Sequence, residues 1–470
     1  MTLTRREFIL RSFGAMGSAA LAMEGFGMNN AFAQANDYKA LVCIFLFGGS
    51  DNNNVLIPYD NYAEYATGRP TAATLGVPQA NLLQITPQTG GATFGLHPSM
   101  LGIQELWNAG KAALVCNVGP LVVPTTRPAY INHTVPVPFN LFSHSDQQTE
   151  WQTAVANGFI STGWAGRAAD SISNLYAATS GFPLEVSVAG TPIFQTGVLA
   201  SPLAINAAPT PIRTALRIDG FGEVPENNSR YQAMVNLQSI DDGYTLVRAT
   251  NRIDSKALQI TALLRSVTEP TVPVFPATGL GNQLQQVAKL ISLRNTLGIK
   301  RQIFFCSLGG FDTHSGQVNG ADATLGTHAG LLAQVSGAIK AFHDATASMG
   351  VDNQVTSFTM SDFSRTFKAN GTLGSDHAWG SHVILAGGAV RGADLYGIPG
   401  PNGTVFPSLA AGGNDDTDSG SNARGRWIPT TAIEQVGATL VTWLGVPSAD
   451  LNGVFPNLPN FSVKNLGFML

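Results

Sequence analysis

Short runs of almost continuous apolar residues, separated by helical patterns, constrain the fold of this chain most strongly. Such runs are typical of strands buried on both faces of a sheet, because a half-exposed strand alternates apolar and polar residues. The runs are Lys39–Phe47, Ala112–Val118, Gln302–Leu308, Val355–Met360 and His382–Ala386. Apolar residues at helical spacing over Leu325–Met349, ended by Gly350, place a helix between the third and fourth runs. This order predicts an α/β fold with a largely parallel central sheet and helices on both faces.

Two regions depart from the strand and helix pattern. Residues 187–269 contain a Pro-rich stretch, a polar segment and then a helix-like stretch, which predicts a cap inserted into the main domain. The Gly-rich stretch Ala410–Gly425 predicts a mobile surface loop. The chain from residue 36 to residue 470 is therefore interpreted as one α/β domain with an insertion.

The first 35 residues are typical of an export signal rather than of a folded domain. The pair Arg5-Arg6 is followed by Phe8 and by a mildly apolar stretch, which ends on the small residues Ala33 and Ala35. An ordinary secretory signal or an amphipathic helix would be alternatives, but the arginine pair favours a twin-arginine signal. We expect the twin-arginine translocase as a partner and a periplasmic or secreted location. No later segment is apolar and long enough to span a bilayer, so an integral membrane protein is not expected.

Charge and cysteine usage narrow the chemistry further. Charged residues make up 12% of the chain and the net charge is −4, which argues against a nucleic-acid partner. Cys43, Cys116 and Cys306 each lie inside an apolar run, so we expect buried, free thiols. No C-x-x-C motif occurs, and a thiolate zinc site is therefore not expected.

Polar clusters, each with an aspartate, adjoin four of the apolar runs. Ligands of an open parallel sheet bind beyond the carboxyl ends of its strands, so these clusters are expected to meet at one edge. Carboxylates and imidazoles converging there would bind divalent ions. Each cluster alone could be a turn or a helix cap, and only the joint placement points to a site. The candidate ligands are Asp51, Asp312, His314, Asp362, Asp376, His377 and His382.

At these residues the sequence resembles the DUF1501 proteins, a family of uncharacterised function in the alkaline phosphatase-like and sulfatase-like superfamily. The resemblance covers essentially the whole chain after the signal, and it rests on FLFGGSDNNNVLIPY, FGLHP, FSHSDQQTEWQ, TGWAGR, GGFDTH, SDFSRT, GSDHAWGSH and FPNLPNF. It implies an alkaline phosphatase-like fold and two metal ions (zinc, manganese, or magnesium or calcium) held by Asp and His at strand ends. Three positions depart from the pattern: Asn52-Asn53 replaces Gly-Leu, Asp362 replaces Glu, and Phe363 replaces a His.

The superfamily resemblance also implies a nucleophile at the start of a helix. Ser143 and Ser145 precede a helix-like run and are the candidates, although serine there is equally a good N-cap. The sulfatase motif C-x-P-x-R is absent, which excludes a formylglycine nucleophile. Candidates for holding an anionic substrate are Asn52, His144, Arg167 and Arg365, although the two arginines could equally be structural.

Three functions are compatible with these observations. The first is an exported metal-dependent hydrolase that acts on a small phosphate or sulfate ester. The second is a non-catalytic exported protein that uses the same scaffold for binding or surface assembly, which the replacement of His by Phe363 favours. The third is a structural α/β protein in which the Asp and His clusters have no common role.

Overall fold

The computed structural model describes residues 38–71, 74–216, 228–238, 240, 244–320 and 322–470. The predicted twin-arginine signal, residues 1–35, lies outside the described residues, as does part of the predicted insertion. No helix in the described part of the chain is both long and apolar enough to cross a membrane.

The described residues form short strands and helices of very different lengths. The strands are β1 (Lys39–Leu46), β2 (Leu56–Pro58), β3 (Leu83–Ile85), β4 (Phe94–Leu96), β5 (Ala112–Gly119), β6 (Glu185–Ser187), β7 (Leu203–Ala204), β8 (Arg301–Leu308), β9 (Val355–Ser361), β10 (Ser381–Gly387), β11 (Leu395–Tyr396) and β12 (Thr431–Ala432). The helices are α1 (Tyr62–Gly68), α2 (Leu101–Asn108), α3 (Arg127–Ile131), α4 (His144–Thr153), α5 (Trp164–Tyr176), α6 (Ser229–Gln238), α7 (Thr245–Ser266), α8 (Gly279–Ser292), α9 (Thr327–Ser348), α10 (Ile433–Leu444) and α11 (Leu451–Val454).

A nine-stranded sheet runs through the centre of the molecule in the order β11-β5-β10-β9-β1-β8-β6-β7, with β12 also paired to β5. The central strand β1 pairs in parallel with β8 on one side and with β9 on the other. The strands β2, β4 and β3 form a separate antiparallel sheet. All five apolar runs are strands of the central sheet, so the predicted α/β fold with a largely parallel sheet is confirmed.

The two faces of the sheet are covered by different helices, as the continuous apolar runs predict. Along β1, Val42 and Ile44 point into a core that includes residues of α2, α8 and α9. Cys43 and Phe45 point into the opposite core, which includes residues of α4, α5 and α10. Because β1 is covered on both faces, every residue from Ala40 to Leu46 can be apolar.

Strand β10 runs antiparallel to both of its neighbours, β9 and β5. Its first residue, Ser381, therefore pairs with Val118 near the end of β5, at the edge where the parallel strands finish. The segment that precedes β10 in the chain consequently reaches the same edge as the segments that follow β1, β8 and β9. This reversal brings the polar cluster that precedes β10, which contains Asp376 and His377, to the clusters that follow β1, β8 and β9.

Other predictions about the chain meet mixed outcomes. Helix α9 occupies the predicted helical stretch, and Cys43, Cys116 and Cys306 are free and buried. Within the predicted insertion, β7 pairs in parallel with β6 at the edge of the central sheet. Those strands are too short to show as apolar runs. The Gly-rich loop Ala410–Gly425 is held by many hydrogen bonds to the Asp416 and Asp418 side chains.

Candidate metal centre

The turns that leave β1, β8 and β9 approach one another closely, and Gly48 and Gly49 permit it. A Cβ atom added at Gly48 would lie 2.3 Å from the Asp312 backbone nitrogen. Gly49 has a φ of +81°, which residues with side chains rarely adopt. A Cβ atom added there would lie 2.5 Å from the Phe363 ring. Next to it, the Gly48 amide donates a hydrogen bond to Asp362 Oδ1 at 3.2 Å. The Gly-Gly pair after β1 is therefore a packing requirement of this edge.

Four side chains with metal-binding atoms converge at this edge: His144, Asp312, His314 and His377. His144 is the first residue of α4, Asp312 and His314 follow β8, and His377 precedes β10. Asp312 Oδ1 lies 3.4 Å from His144 Nε2, 3.2 Å from His314 Nε2 and 3.7 Å from His377 Nε2. The Nε2 atoms of His314 and His377 are 2.8 Å apart. For His144, Asp312 and His377, the ligand atoms all lie within 4.8 Å of one another.

Each of the three imidazoles is oriented by an acceptor at its other nitrogen. His144 Nδ1 lies 2.6 Å from Asp362 Oδ2, and His314 Nδ1 lies 3.1 Å from Asp376 Oδ1. His377 Nδ1 lies 2.6 Å from the Phe142 carbonyl oxygen, which can only accept, so this nitrogen carries the hydrogen. Histidines that bind metal ions through Nε2 are held in this way.

His144 Nε2 is the most informative atom of the cluster. It is buried and has no hydrogen-bond partner among the described residues. A buried polar atom without a partner costs free energy, and native structures contain few of them. The atom faces Asp312, and a cation between the two residues would satisfy it. The donor set therefore fits a metal ion, with three imidazole nitrogens and one carboxylate oxygen as potential ligands.

The charges around Asp312 keep it ionised. Burial raises the pKa of Asp312, but the hydrogen bond and the charge of Arg365 outweigh that effect and hold the pKa below its usual value. The hydrogen bond with Asp362 raises the pKa of His144. Burial lowers the pKa of His377. The cluster thus combines an anionic oxygen with a His377 ring that resists protonation.

Phe363 packs under the cluster. It is fully buried, and its ring centroid lies 4.7 Å from that of His144 and 4.6 Å from that of His377. An apolar ring there cannot bind a metal ion, but it fixes the planes of two imidazoles. His144, which enters from α4, supplies a third imidazole instead.

Comparison with known proteins identifies the family of this chain. A sequence model of DUF1501, described as a protein of unknown function, matches residues 38–404. The chain belongs to the DUF1501 family. The matched residues include His144, Asp312, His314 and His377, whereas the loop that contains Arg424 lies beyond them. No curated protein matches the sequence significantly.

Solved structures give only distant similarities to this DUF1501 protein. The lipoteichoic acid synthase LtaP from Listeria monocytogenes is 8% identical over 84% of this chain and 75% of its own, with a TM-score of 0.30. The PsFucS1 sulfatase from Pseudoalteromonas sp. is 8% identical over 78% and 66%, with a TM-score of 0.31. The phosphonate monoester hydrolase of Agrobacterium radiobacter is 9% identical over 87% and 74%, also with a TM-score of 0.31. Similarities with TM-scores this low give no information about function.

Asp51 does not join the cluster, although its position after β1 predicts a metal ligand. The guanidinium of Arg69 binds both of its oxygens, at 2.7 and 2.9 Å, and both side chains are fully buried. Gln317 Nε2 and Asn53 Nδ2 donate two more hydrogen bonds to the same carboxylate. Burial raises the pKa of Asp51, but the charge of Arg69 and its hydrogen bonds to the carboxylate outweigh that effect. The net pKa is below the usual value.

Three further predicted ligands lie outside the group of four side chains. Asp362 contacts His144 Nδ1, Gln148 Nε2 and the Gly48 amide, so it orients a cluster residue from outside. His382 is the second residue of β10 and lies away from the cluster. Its Nδ1 accepts a hydrogen bond from the Asn117 amide, and burial lowers its pKa to about 4. Asp376 takes an outer position similar to that of Asp362, against His314.

The predicted substrate-binding residues are, with one exception, engaged in structural contacts. Asn52 donates to the Ser50 carbonyl and to Ser381 Oγ inside the protein. Arg167 donates to the carbonyls of Thr153, Thr162 and Val454, and burial lowers its pKa to about 10. Arg365 is fully buried and donates to Asp312 and to backbone oxygens. The exception is His144, which lies in the cluster itself.

The two candidate nucleophiles face Asp146 rather than the cluster histidines. Ser143 is the N-cap residue of α4, and its hydroxyl donates to Asp146 Oδ2 at 2.5 Å. Ser145 Oγ lies 3.4 Å from the same oxygen. The hydrogen bond from Ser143 lowers the pKa of Asp146, which makes this carboxylate a weak base. Ser143 occupies the N-cap position, but its side chain makes no hydrogen bond to the helix backbone.

Several residues around the cluster were not predicted from the sequence. Arg69 neutralises a carboxylate and Gln148 contacts one, but Arg69 follows α1 and Gln148 lies within α4, and neither has an unusual local pattern. The Phe142 carbonyl is a backbone group, so the sequence gives no sign of its role. Arg424 and Arg426 lie on either side of Gly425 at the end of the Gly-rich loop, and this R-G-R triplet was the one signal that could have found them.

The Asp51–Arg69 pair gives a direct test of this placement. We expect the substitution Arg69→Met to lower the free energy of unfolding by about 3–5 kcal/mol, because it leaves the Asp51 charge buried without its partner. The double variant Asp51→Asn/Arg69→Met should recover part of this loss. Urea unfolding measures both. The control is Arg391→Met, at an exposed arginine. If Arg69→Met lowers the free energy of unfolding no more than this control does, the assignment is wrong.

Proposed function

We propose that this DUF1501 protein binds one divalent metal ion through His144, Asp312, His314 and His377 and hydrolyses an anionic ester with its help. The buried Nε2 atom of His144, which makes no hydrogen bond within the described part of the chain and lies 3.4 Å from Asp312 Oδ1, is the observation that carries the proposal. The distances support it as well. Ligand atoms of a tetrahedral zinc site lie about 3.3 Å apart, given bonds of roughly 2.0–2.1 Å. The distances from Asp312 Oδ1 to the three Nε2 atoms are 3.2–3.7 Å.

One metal ion fits the side chains better than the two that the superfamily resemblance implies. A second ion would need Asp51, Asp362, Asp376 or His382. Asp376 is already engaged by His314, Asn370 and Arg424. Asp51 is neutralised by Arg69, and Asp362 already accepts three hydrogen bonds. His382 accepts a backbone hydrogen bond away from the cluster. Three nitrogens and one oxygen favour zinc, whereas magnesium and calcium prefer sites made of oxygen ligands.

A bound metal ion would polarise the ester and lower the pKa of water. The residues of the chain provide the geometry: Asp362 and the Phe142 carbonyl fix two imidazoles, and Arg365 holds Asp312. The side chains of Asp312 and His314 are 50% and 45% exposed, which leaves access for a substrate. Because the Ser143 hydroxyl donates to Asp146, we propose solvent water as the nucleophile rather than Ser143 or Ser145.

Metal binding is the first test of the proposal. We expect metal-free protein to take up about one equivalent of zinc, because a single four-ligand site is proposed. His377→Ala and His314→Ala should each weaken binding by at least about tenfold. Elemental analysis after dialysis and titration of the melting temperature measure this. His343→Ala, on α9, is the matched control. Failure of the wild-type protein to bind zinc, manganese or magnesium would refute the proposal.

Ester hydrolysis is the second test. Zinc-loaded protein should release nitrophenol from at least one member of a panel of nitrophenyl phosphate, phosphodiester and sulfate. We expect kcat/KM to fall by about a hundredfold or more in His377→Ala, because a lost ligand disorders the metal site. A chelator should abolish the activity, and added zinc should restore it. Tight zinc binding without hydrolysis of any panel member would favour the non-catalytic binding protein.

We also propose that the protein is exported by the twin-arginine route, on the support of Arg5-Arg6 and the apolar stretch after them. That route carries folded proteins, which would suit a metal site assembled from distant parts of the chain. The substitution of Arg5-Arg6 by Lys-Lys should leave the protein in the cytoplasm, as cell fractionation would show. The matched control is Arg11→Lys. Unchanged export of the Lys-Lys variant would rule this route out.

A further inference from the structure

The loop Ala410–Gly425 is built around the carboxylate of Asp416, which is fully buried. Its oxygens accept hydrogen bonds from the amides of Gly412, Asp418, Gly425 and Arg426, at 2.8–3.0 Å. From outside the loop, Arg127 donates to the carbonyls of Asp416 and Asp418, each at 2.9 Å. The loop therefore has a defined shape at its carboxyl-terminal end.

This end of the loop carries the triplet Arg424-Gly425-Arg426 to the candidate metal centre. Gly425 has a φ of +76°, and a Cβ atom added there would lie 2.6 Å from the Cβ atom of Phe367. Only glycine fits at this point without a shift of the backbone. The close approach places the arginine on each side of Gly425 against a different part of the cluster.

Arg424 contacts the outer partner of His314. Its Nη2 atom lies 2.9 Å from Asp376 Oδ2, and both side chains are about one third exposed. The other oxygen of Asp376 lies 3.1 Å from His314 Nδ1 and also accepts a hydrogen bond from Asn370. Burial raises the pKa of Asp376, but the hydrogen bonds with Asn370 and His314, together with the charge of Arg424, outweigh that effect and hold the pKa below its usual value.

Arg426 supports His377 in two ways, through the His377 backbone and through Phe142. Its Nε atom donates to the His377 carbonyl oxygen at 2.9 Å, and Nη1 is fixed by Asp418 Oδ1, also at 2.9 Å. Its guanidinium lies 5.0 Å from the centre of the Phe142 ring. The carbonyl of that same residue accepts the hydrogen bond from His377 Nδ1. Arg426 therefore braces both the backbone of His377 and the group that orients its imidazole.

We infer that Arg424 and Arg426 are positioning residues for the metal ligands, Arg424 through Asp376 and His314, and Arg426 through Phe142 and His377. This inference rests on the proposed metal centre. Outer partners of metal-binding histidines fix the ring orientation, and their loss weakens metal binding by 10–100-fold in known sites. In this protein, one Asp416-centred loop supports the outer partners of two histidines. The loop is thereby part of the metal centre, although it contributes no ligand.

Metal titration of metal-free variants tests the inference. We expect Arg424→Gln and Arg426→Gln each to raise the Kd for zinc by about 10–100-fold. Lysine should restore binding at position 424, where a single positive charge next to Asp376 is needed. Lysine should not restore it at position 426, because the guanidinium there donates in two directions and lies on an aromatic ring. Cobalt-loaded Arg426→Gln should also show shifted visible absorption bands at saturating metal.

The controls separate this inference from the proposed function and from loss of folding. Arg391→Gln, at an exposed arginine that contacts the Met469 carbonyl, should bind zinc as the wild type does. The melting temperature without metal should be similar in all variants. If the wild type binds metal and both glutamine variants keep its Kd values and cobalt spectra, the inference is overturned and the proposed function stays intact. Absence of metal binding by the wild type would overturn both.

Discussion

The buried guanidinium of Arg365 holds together the edge of the sheet on which the candidate site depends. It follows β9, donates to the carbonyls of Gly48 and Gly49 after β1, and donates to Ser375 before β10. Its remaining contact is the carboxylate of Asp312, after β8. A fully buried charge is costly unless its hydrogen-bonding groups find partners, and here the partners come from three other segments. The position of Asp312 is thus fixed by the same group that joins the loops.

The sequence was sufficient to predict the α/β fold and the edge of the sheet where the polar clusters meet. Both follow from strands such as β1 that are buried on both faces, because these produce uninterrupted apolar runs. The partners of individual side chains were not predictable in this way. Asp51 and Asp312 have similar positions after neighbouring strands, but Arg69 approaches the first and histidines approach the second. The local sequence around an aspartate does not show which distant side chain will contact it in the fold.

The contrast between Asp51 and Asp312 also shows how two kinds of cation can satisfy similar carboxylates. In the first case a guanidinium binds both oxygens in a site without solvent access. In the second, one oxygen accepts a hydrogen bond from the Arg365 guanidinium and also faces three imidazole nitrogens, and half of the side chain is exposed. A permanent positive charge stabilises the fold, whereas an open set of nitrogens leaves room for an exchangeable ion.

The reversed direction of β10 affects how freely this site can change. A connection between parallel neighbours must cross the sheet, usually as a helix, but antiparallel neighbours such as β9 and β10 need no crossover. The connection between them, residues 362–380, contains Asp376 and His377 and does not have to pack across a face of the sheet. The segment is nevertheless anchored in the interior, because Arg365, Phe367 and Trp379 are buried. Substitutions that leave these three residues in place can alter Asp376 or His377 while both cores stay intact. The same segment thus carries buried residues that hold the edge of the sheet and partly exposed residues that can change.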